Sequence, residues 1–285
     1  MVRALPVLAL LLNAFTWGVS WWPFRWLQQH GLHPLWATAL IYLAAVAAIT
    51  VARPQAWRQL FRAPVLWVLV AAAGTTNATF NWAVTIGDVV RVVLLFYLMP
   101  LWAVLLARAL LGERLSPWAA LRVAMALAGA AIVLQPAGGG WPLPRTPAEW
   151  LGVVGGFSFA LNNVMLRREA HQPESARALA MFLGGALVAL VLATGLSLHG
   201  TLALPPAASS AWLVGAAGLT LAFLAGNLAL QYGAARLPAN VTAVVMVSEV
   251  LFASVSAVLL GAGQLTPALA LGGALIVGAS LLSRQ

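Results

Sequence analysis

The sequence predicts an all-α integral membrane protein, with ten transmembrane helices arranged as two inverted five-helix repeats around a central cavity. Three observations lead there. The 285 residues are 62% hydrophobic and 7% charged, where soluble domains carry roughly 25% charged residues. Most of that apolar surface has to face lipid, because a single water-excluded core could not absorb it. Ten apolar segments, each near the length of about 20 residues that a spanning helix needs, follow one another along the chain. Finally, the stretch 96–134 is echoed by 245–282: Leu110-Leu111-Gly112 answers Leu259-Leu260-Gly261, and Ser116-Pro117 answers Thr266-Pro267.

The first segment, 4–24, follows Arg3 and has the outline of a signal peptide. Trp21, Trp22 and Pro23 stand where a small-residue cleavage site would be, so an uncleaved first span is expected. Segments 33–52, 64–86, 90–111 and 117–135 complete a first unit, residues 1–135. Residues 136–147 hold Pro136, Gly138, Gly139, Gly140, Pro142, Pro144 and Pro147 and read as a linker. Segments 148–167, 176–196, 210–232, 238–260 and 266–283 form the second unit, residues 148–285. Backbone polar groups in lipid must bond within their own segment, and small residues at helical spacing favour helices over barrel strands.

An even number of spans puts both termini on one side. Arg3, Arg53, Arg58, Arg62, Arg108, Arg114, Arg122, Arg167, Arg168, Arg177, Arg236 and Arg284 fall on that side, against Arg25, Arg91 and Arg145 on the other. The positive-inside rule therefore predicts a bacterial inner-membrane protein with cytoplasmic termini. The echoed stretches are five segments apart. An odd shift inverts one copy relative to the other, which is a transporter architecture with its site near the midplane between the repeats. Segments one and six match more loosely, Phe15-Thr16-Trp17 with Phe157-Ser158-Phe159.

Composition also excludes. The net charge of +9 is carried by Arg in short loops, with no basic stripe of interleaved aromatics, so no nucleic-acid partner is expected. There is no Cys, and His30, His33, His171 and His199 sit near segment ends at no metal-like spacing. No Walker-type loop and no nucleophile–base constellation occurs, so no cofactor, metal or enzymatic activity is expected. The expected partners are a small-molecule substrate and the lipid bilayer, and the chain is expected to act as a monomer.

Ten helices in two repeats, with Pro100, Leu110-Leu111-Gly112-Glu113-Arg114, Ser116 and Gly129 in the first copy, resemble the EamA-type transporters of the drug/metabolite transporter superfamily. The resemblance covers essentially the whole chain. The aromatics Trp17, Trp21, Trp82, Phe96 and Tyr97 are similar to the aromatic amino-acid exporter branch typified by the bacterial YddG proteins. One departure is that Gly261-Ala262-Gly263-Gln264 stands where many members keep an acidic hinge residue. The resemblance implies a metabolite exporter of the inner membrane.

The site residues follow from what is costly in lipid. Glu249 is the one carboxylate well inside a segment, where a charge costs at least about 2.5–3.5 kcal/mol, so it should face the bundle interior. Asn77 and Asn81 lie one helical turn apart, and Asn162 and Asn163 hold the repeat position of Ser20-Trp21. Amides supply both a donor and an acceptor for a polar head, and interhelical glue is their alternative role. Trp17, Trp21, Trp82 and Tyr97 would hold a flat apolar side chain, and Met246 joins them. Substrate binding is therefore expected at Trp17, Trp21, Asn77, Asn81, Trp82, Tyr97, Asn162, Asn163, Met246 and Glu249. Gating is expected at Pro100, which interrupts a helix, and at the Asp88–Arg91 pair. The expected function is export of aromatic and other large apolar amino acids by alternating access. Export of another solute or drug by proton antiport, an intramembrane enzyme and a structural membrane protein are the alternatives.

Overall fold

The computed structural model describes residues 4–112, 117–135, 141, 143–207, 209–234, 236, 245–246 and 248–281. The Glu113–Ser116 hinge and residues 136–140 of the expected linker lie outside the described residues. Among those described, the structure is entirely helical. The helices are α1 (Ala4–Val19), α2 (Trp21–Gln29), α3 (Pro34–Ala52), α4 (Gln55–Arg62), α5 (Leu66–Ile86), α6 (Val89–Phe96), α7 (Met99–Leu111), α8 (Pro117–Leu134), α9 (Pro147–Arg168), α10 (Glu174–Leu198), α11 (Ser210–Ala234), α12 (Ser248–Leu259) and α13 (Pro267–Leu281). Five stretches are long and apolar enough to cross a membrane: Ala4–Gln29, Pro34–Ala52, Val89–Leu111, Glu174–Leu198 and Trp212–Leu230. A sixth is added if the bent pair α4–α5 counts as one span. The chain is a multi-pass helical membrane protein. Among the described residues, each expected segment contains at least one helix, but residues 238–244 and 247 of the segment 238–260 and residues 282–283 of the last lie outside them, and five or six stretches pass by length and composition.

Three features depart from a plain row of rods. The first segment is interrupted at Ser20, whose Oγ donates to the Trp17 carbonyl at 2.8 Å, three residues before Pro23, which has no N–H to offer the Val19 carbonyl. The segment 90–111 breaks at Tyr97 and Leu98, and Pro100 falls in the first turn of α7. Proline is well suited there, because a first-turn N–H has no intrahelical partner to lose. The helix is interrupted just before Pro100, ending at Phe96 and restarting at Met99. Helix α4 was not expected at all. It turns back from α5 by 108°, buries Ala56 and Leu60, and carries Arg58 and Arg62. That division suits a helix lying along an interface.

Packing relies on glycine at the closest crossings. A Cβ on Gly129 would overlap the Gly272 carbonyl oxygen, and a Cβ on Gly184 would overlap that of Val70. These bring α8 against α13 and α5 against α10, the small-residue mode of helix association in lipid. The other main partnerships are α5 with α9, α3 with α10, α1 with α11 and α12, and α9 with α6 and α7. Gly112 and Gly261, matched in the sequence echo, both adopt the left-handed conformation, with φ of 69° and 68°. Each follows the last helical turn of its segment, where glycine bears no Cβ penalty.

Candidate functional site

A cavity opens midway along the bundle, where α1, α3, α5, α6, α9, α10, α11 and α12 meet. Its walls carry the rings of Trp17, Tyr42, Phe80, Phe96, Phe159, Phe182 and Phe223, the amides of Asn13, Asn77, Asn162 and Asn227, Thr76, Met181, Met246 and one carboxyl, Glu249. Its volume, about 140 Å³, is below the roughly 300–1,000 Å³ of sites for drug-sized ligands. As it stands it suits a small solute. The rings brace one another: Trp17 stacks on Phe223 with centroids 4.6 Å apart, and Phe96 lies 4.8 Å from Phe80 and 5.3 Å from Phe159.

Of the ten residues expected to bind substrate, Trp17, Asn77, Asn162, Met246 and Glu249 line this cavity. Tyr97 stands behind it and donates its hydroxyl to Glu249 Oε2 at 3.2 Å. Trp21, Asn81, Trp82 and Asn163 are not among the lining residues. Trp21 is buried away from the cavity, and its indole N–H bonds Ser256 Oγ at 3.0 Å. Asn81, one turn beyond Asn77, is fully buried and donates to Thr38 Oγ1 at 3.0 Å. Trp82 lies edge-on to His33, 5.5 Å between centroids, and Asn163 is exposed, its Oδ1 3.5 Å from Asn162 Nδ2.

Tyr42, Phe182 and Phe223 were missed by sequence reasoning. Their segments carry no midspan charge or amide pair to draw attention, and rings in apolar text are indistinguishable from packing residues. Asn13 and Asn227 could have been found as solitary amides on the cavity-facing sides of α1 and α11.

The cavity's polar groups have unequal partners. Asn13 Nδ2 donates to the Gly226 carbonyl at 2.9 Å, and Asn77 Nδ2 to the Ala73 carbonyl at 2.7 Å. These donations fix which amide atom is oxygen. Asn77 Oδ1 accepts from the Tyr42 hydroxyl. Asn13 Oδ1 and Asn162 Oδ1 are buried and receive no hydrogen bond. Thr76 donates to the Ala72 carbonyl at 2.8 Å.

At the end of the bundle away from the chain termini the charges look after one another. Asp88 caps α6: its Oδ1 accepts from the Arg91 N–H at 2.9 Å, and its Oδ2 from the Gln264 N–H at 3.2 Å. Asp88 thus acts as a helix-start residue and does not pair with the Arg91 side chain. Arg91 sends its Nε instead to Glu149 Oε1, 2.6 Å away, because Asp88 is occupied as a cap. Glu149 also closes a capping box with Thr146 and accepts from the Arg145 N–H at 2.6 Å. Arg25 donates to the carbonyls of Val84 and Gly87, and Val89 N–H to that of Ala262. His33, at the turn before α3, accepts from the Leu35 N–H through Nδ1 at 3.2 Å. Burial pushes its pKa down to about 4.

Among the described residues no group of three or more His, Asp or Glu is placed to hold a metal ion. Residues 4–135 match the EamA-like transporter family. The chain is 33% identical over 119 residues to an uncharacterised transporter of Pseudomonas aeruginosa, covering 40% of this chain and 37% of that protein. It is also 33% identical over 114 residues to the chloramphenicol-sensitive protein RarD of Pseudomonas aeruginosa, covering 38% of each. The matched stretches thus span under two-fifths of the length of these relatives. A crystal structure of a protein 21% identical aligns over 99% of this chain and 96% of its own, with a TM-score of 0.58, a likeness of fold.

Proposed function

We propose that the chain is an inner-membrane transporter of the EamA type that exports small metabolites with a flat apolar body and a polar head. Aromatic and other large apolar amino acids are the substrates meant. The carrying observation is the cavity itself, whose walls are mostly aromatic and are interrupted by amides and a single carboxyl. Such walls hold a flat side chain by area burial and stacking, and hold its head by hydrogen bonds.

Alternating access between two inverted five-helix units, residues 1–135 and 148–285, is the mechanism this reading adopts. The helix pairing supports it. A shift of five segments turns the α1–α11 contact into α9–α5, and α1–α12 into the contact of α9 with α6 and α7; both members of each pair occur. The twin left-handed glycines support it too. In this reading the cavity binds substrate through Trp17, Asn77, Asn162, Met246 and Glu249. Trp21, Asn81, Trp82, Tyr97 and Asn163 shape its surroundings. The break before Pro100 and the far-end junction at Asp88 and Arg91 are the parts that move, with both termini in the cytoplasm.

Uptake of labelled L-phenylalanine into proteoliposomes tests the reading. Wild-type vesicles should fill well above protein-free ones, and Trp17→Ala should lower the initial rate about tenfold, a loss of about 1.4 kcal/mol. Wild-type uptake no faster than that of protein-free vesicles would sink the proposal.

A further inference from the structure

We propose, resting on the transport reading above, that the substrate group this cavity recognises is an ammonium, and that a carboxylate on the substrate is dispensable. The argument is an inventory of hydrogen-bonding atoms. Two of the lining residues, Asn13 and Asn162, keep a buried acceptor unmet, Oδ1 in each, on side chains 1% and 2% exposed, so a rotation of the amide is what would bring that oxygen to a ligand. A buried polar atom left without a partner carries its full desolvation penalty, so a ligand that supplies a donor relieves a cost already present. Glu249 adds a carboxyl whose Oε2 accepts one bond from Tyr97.

The lining donors are largely committed elsewhere. Asn13 and Asn77 spend Nδ2 on backbone carbonyls, Thr76 does the same, and Tyr42 gives its hydroxyl to Asn77. The Trp17 indole is a neutral donor stacked on Phe223. Among the described lining residues there is no Arg, Lys or His. A carboxylate entering here would meet two amide oxygens and a carboxyl group with no cation to balance it. An ammonium has three donors and no acceptor, the complement of what the walls offer. Hydrogen bonds from a charged donor are also stronger than neutral ones.

The wild-type full chain, purified in detergent, decides this with three probes that share one ring: L-phenylalanine, phenethylamine and 3-phenylpropionate. Isothermal titration should show phenethylamine binding within about threefold of L-phenylalanine, and 3-phenylpropionate at least about tenfold weaker than either. Binding of 3-phenylpropionate as tight as phenethylamine overturns the ammonium assignment while leaving a transporter of flat apolar solutes in place. Binding by none of the three overturns both. A second measurement separates the acceptors from mere packing. Asn162→Leu should weaken phenethylamine about tenfold and leave 3-phenylpropionate unchanged; equal weakening of both would remove Asn162 from the recognition site.

Discussion

The two polar regions of this bundle are opposites. At the far end, the carboxylates of Asp88 and Glu149 accept from the backbone N–H groups of residues 91, 264, 145 and 146, and Arg91 lies in ion-pair contact with Glu149. In the cavity, two amide oxygens are buried with nothing to accept from. Both regions place polar chemistry where water is scarce, and the cost of an unmet group is about 1–3 kcal/mol. Asn81 Oδ1, away from the cavity, is unmet too, so an unmet acceptor points to a ligand only where its residue lines a cavity, as at Asn13 and Asn162. Substitutions at the far end should register in stability as well as in transport, and those in the cavity in transport alone.

Breaking the far end gives the largest expected effect. Glu149→Ala leaves Arg91 without its ion partner and opens the capping box of α9. Removing one member of a buried pair costs about 3–5 kcal/mol; the Arg91 side chain is 30% exposed, which places this pair at the lower end. Thermal unfolding in detergent should show the loss. An unfolding temperature equal to wild type would mean the far end is not held by this pair.

In the cavity the expected effects move to function. Trp17→Ala should cut phenylalanine uptake about tenfold, and Asn162→Leu by a similar factor. The sharper contrast is in stability. Because Asn162 Oδ1 has no partner to lose, Asn162→Leu should leave the unfolding free energy within about 0.5 kcal/mol of wild type. A loss of 2 kcal/mol or more there would make Asn162 interhelical glue and erase the distinction between the two regions.

How much of this was legible in the sequence follows the strength of each physical signal. Helix positions were legible, because lipid demands long apolar runs and punishes exceptions. Trp17, Asn77, Asn162 and Glu249 were legible for the same reason: each is an odd residue in apolar text. What failed was phase. The face shared by Asn13 and Trp17 does not continue to Trp21: the helix is interrupted at Ser20, between Gly18 and Pro23, the two residues that mark the place in the sequence. The partner of Arg91 was hidden as well, for Glu149 lies in the other half of the sequence and reaches it only through the packing of α6 on α9. Helix α4 was overlooked because eight residues are too few to span, although Arg58 and Arg62 one turn apart, opposite Ala56 and Leu60, carry its amphipathic pattern.

The smallest predicted effect lies at the far end too, at His33. Its ring sits against Trp82, and its Nδ1 accepts the Leu35 N–H, a bond that requires the unprotonated nitrogen. Burial holds the folded pKa at about 4, below the ordinary 6.5. The unfolded chain therefore binds more protons than the folded one between those values, and stability rises with pH across that window. The contribution is fully present above about 6.5 and is lost as pH falls toward 4. Partial exposure limits its size, so the comparison is made within one protein. The drop in unfolding temperature from pH 7.5 to pH 5 should be smaller in His33→Asn, which caps α3 without titrating, than in wild type. An equal drop in both would place the acid sensitivity at other groups.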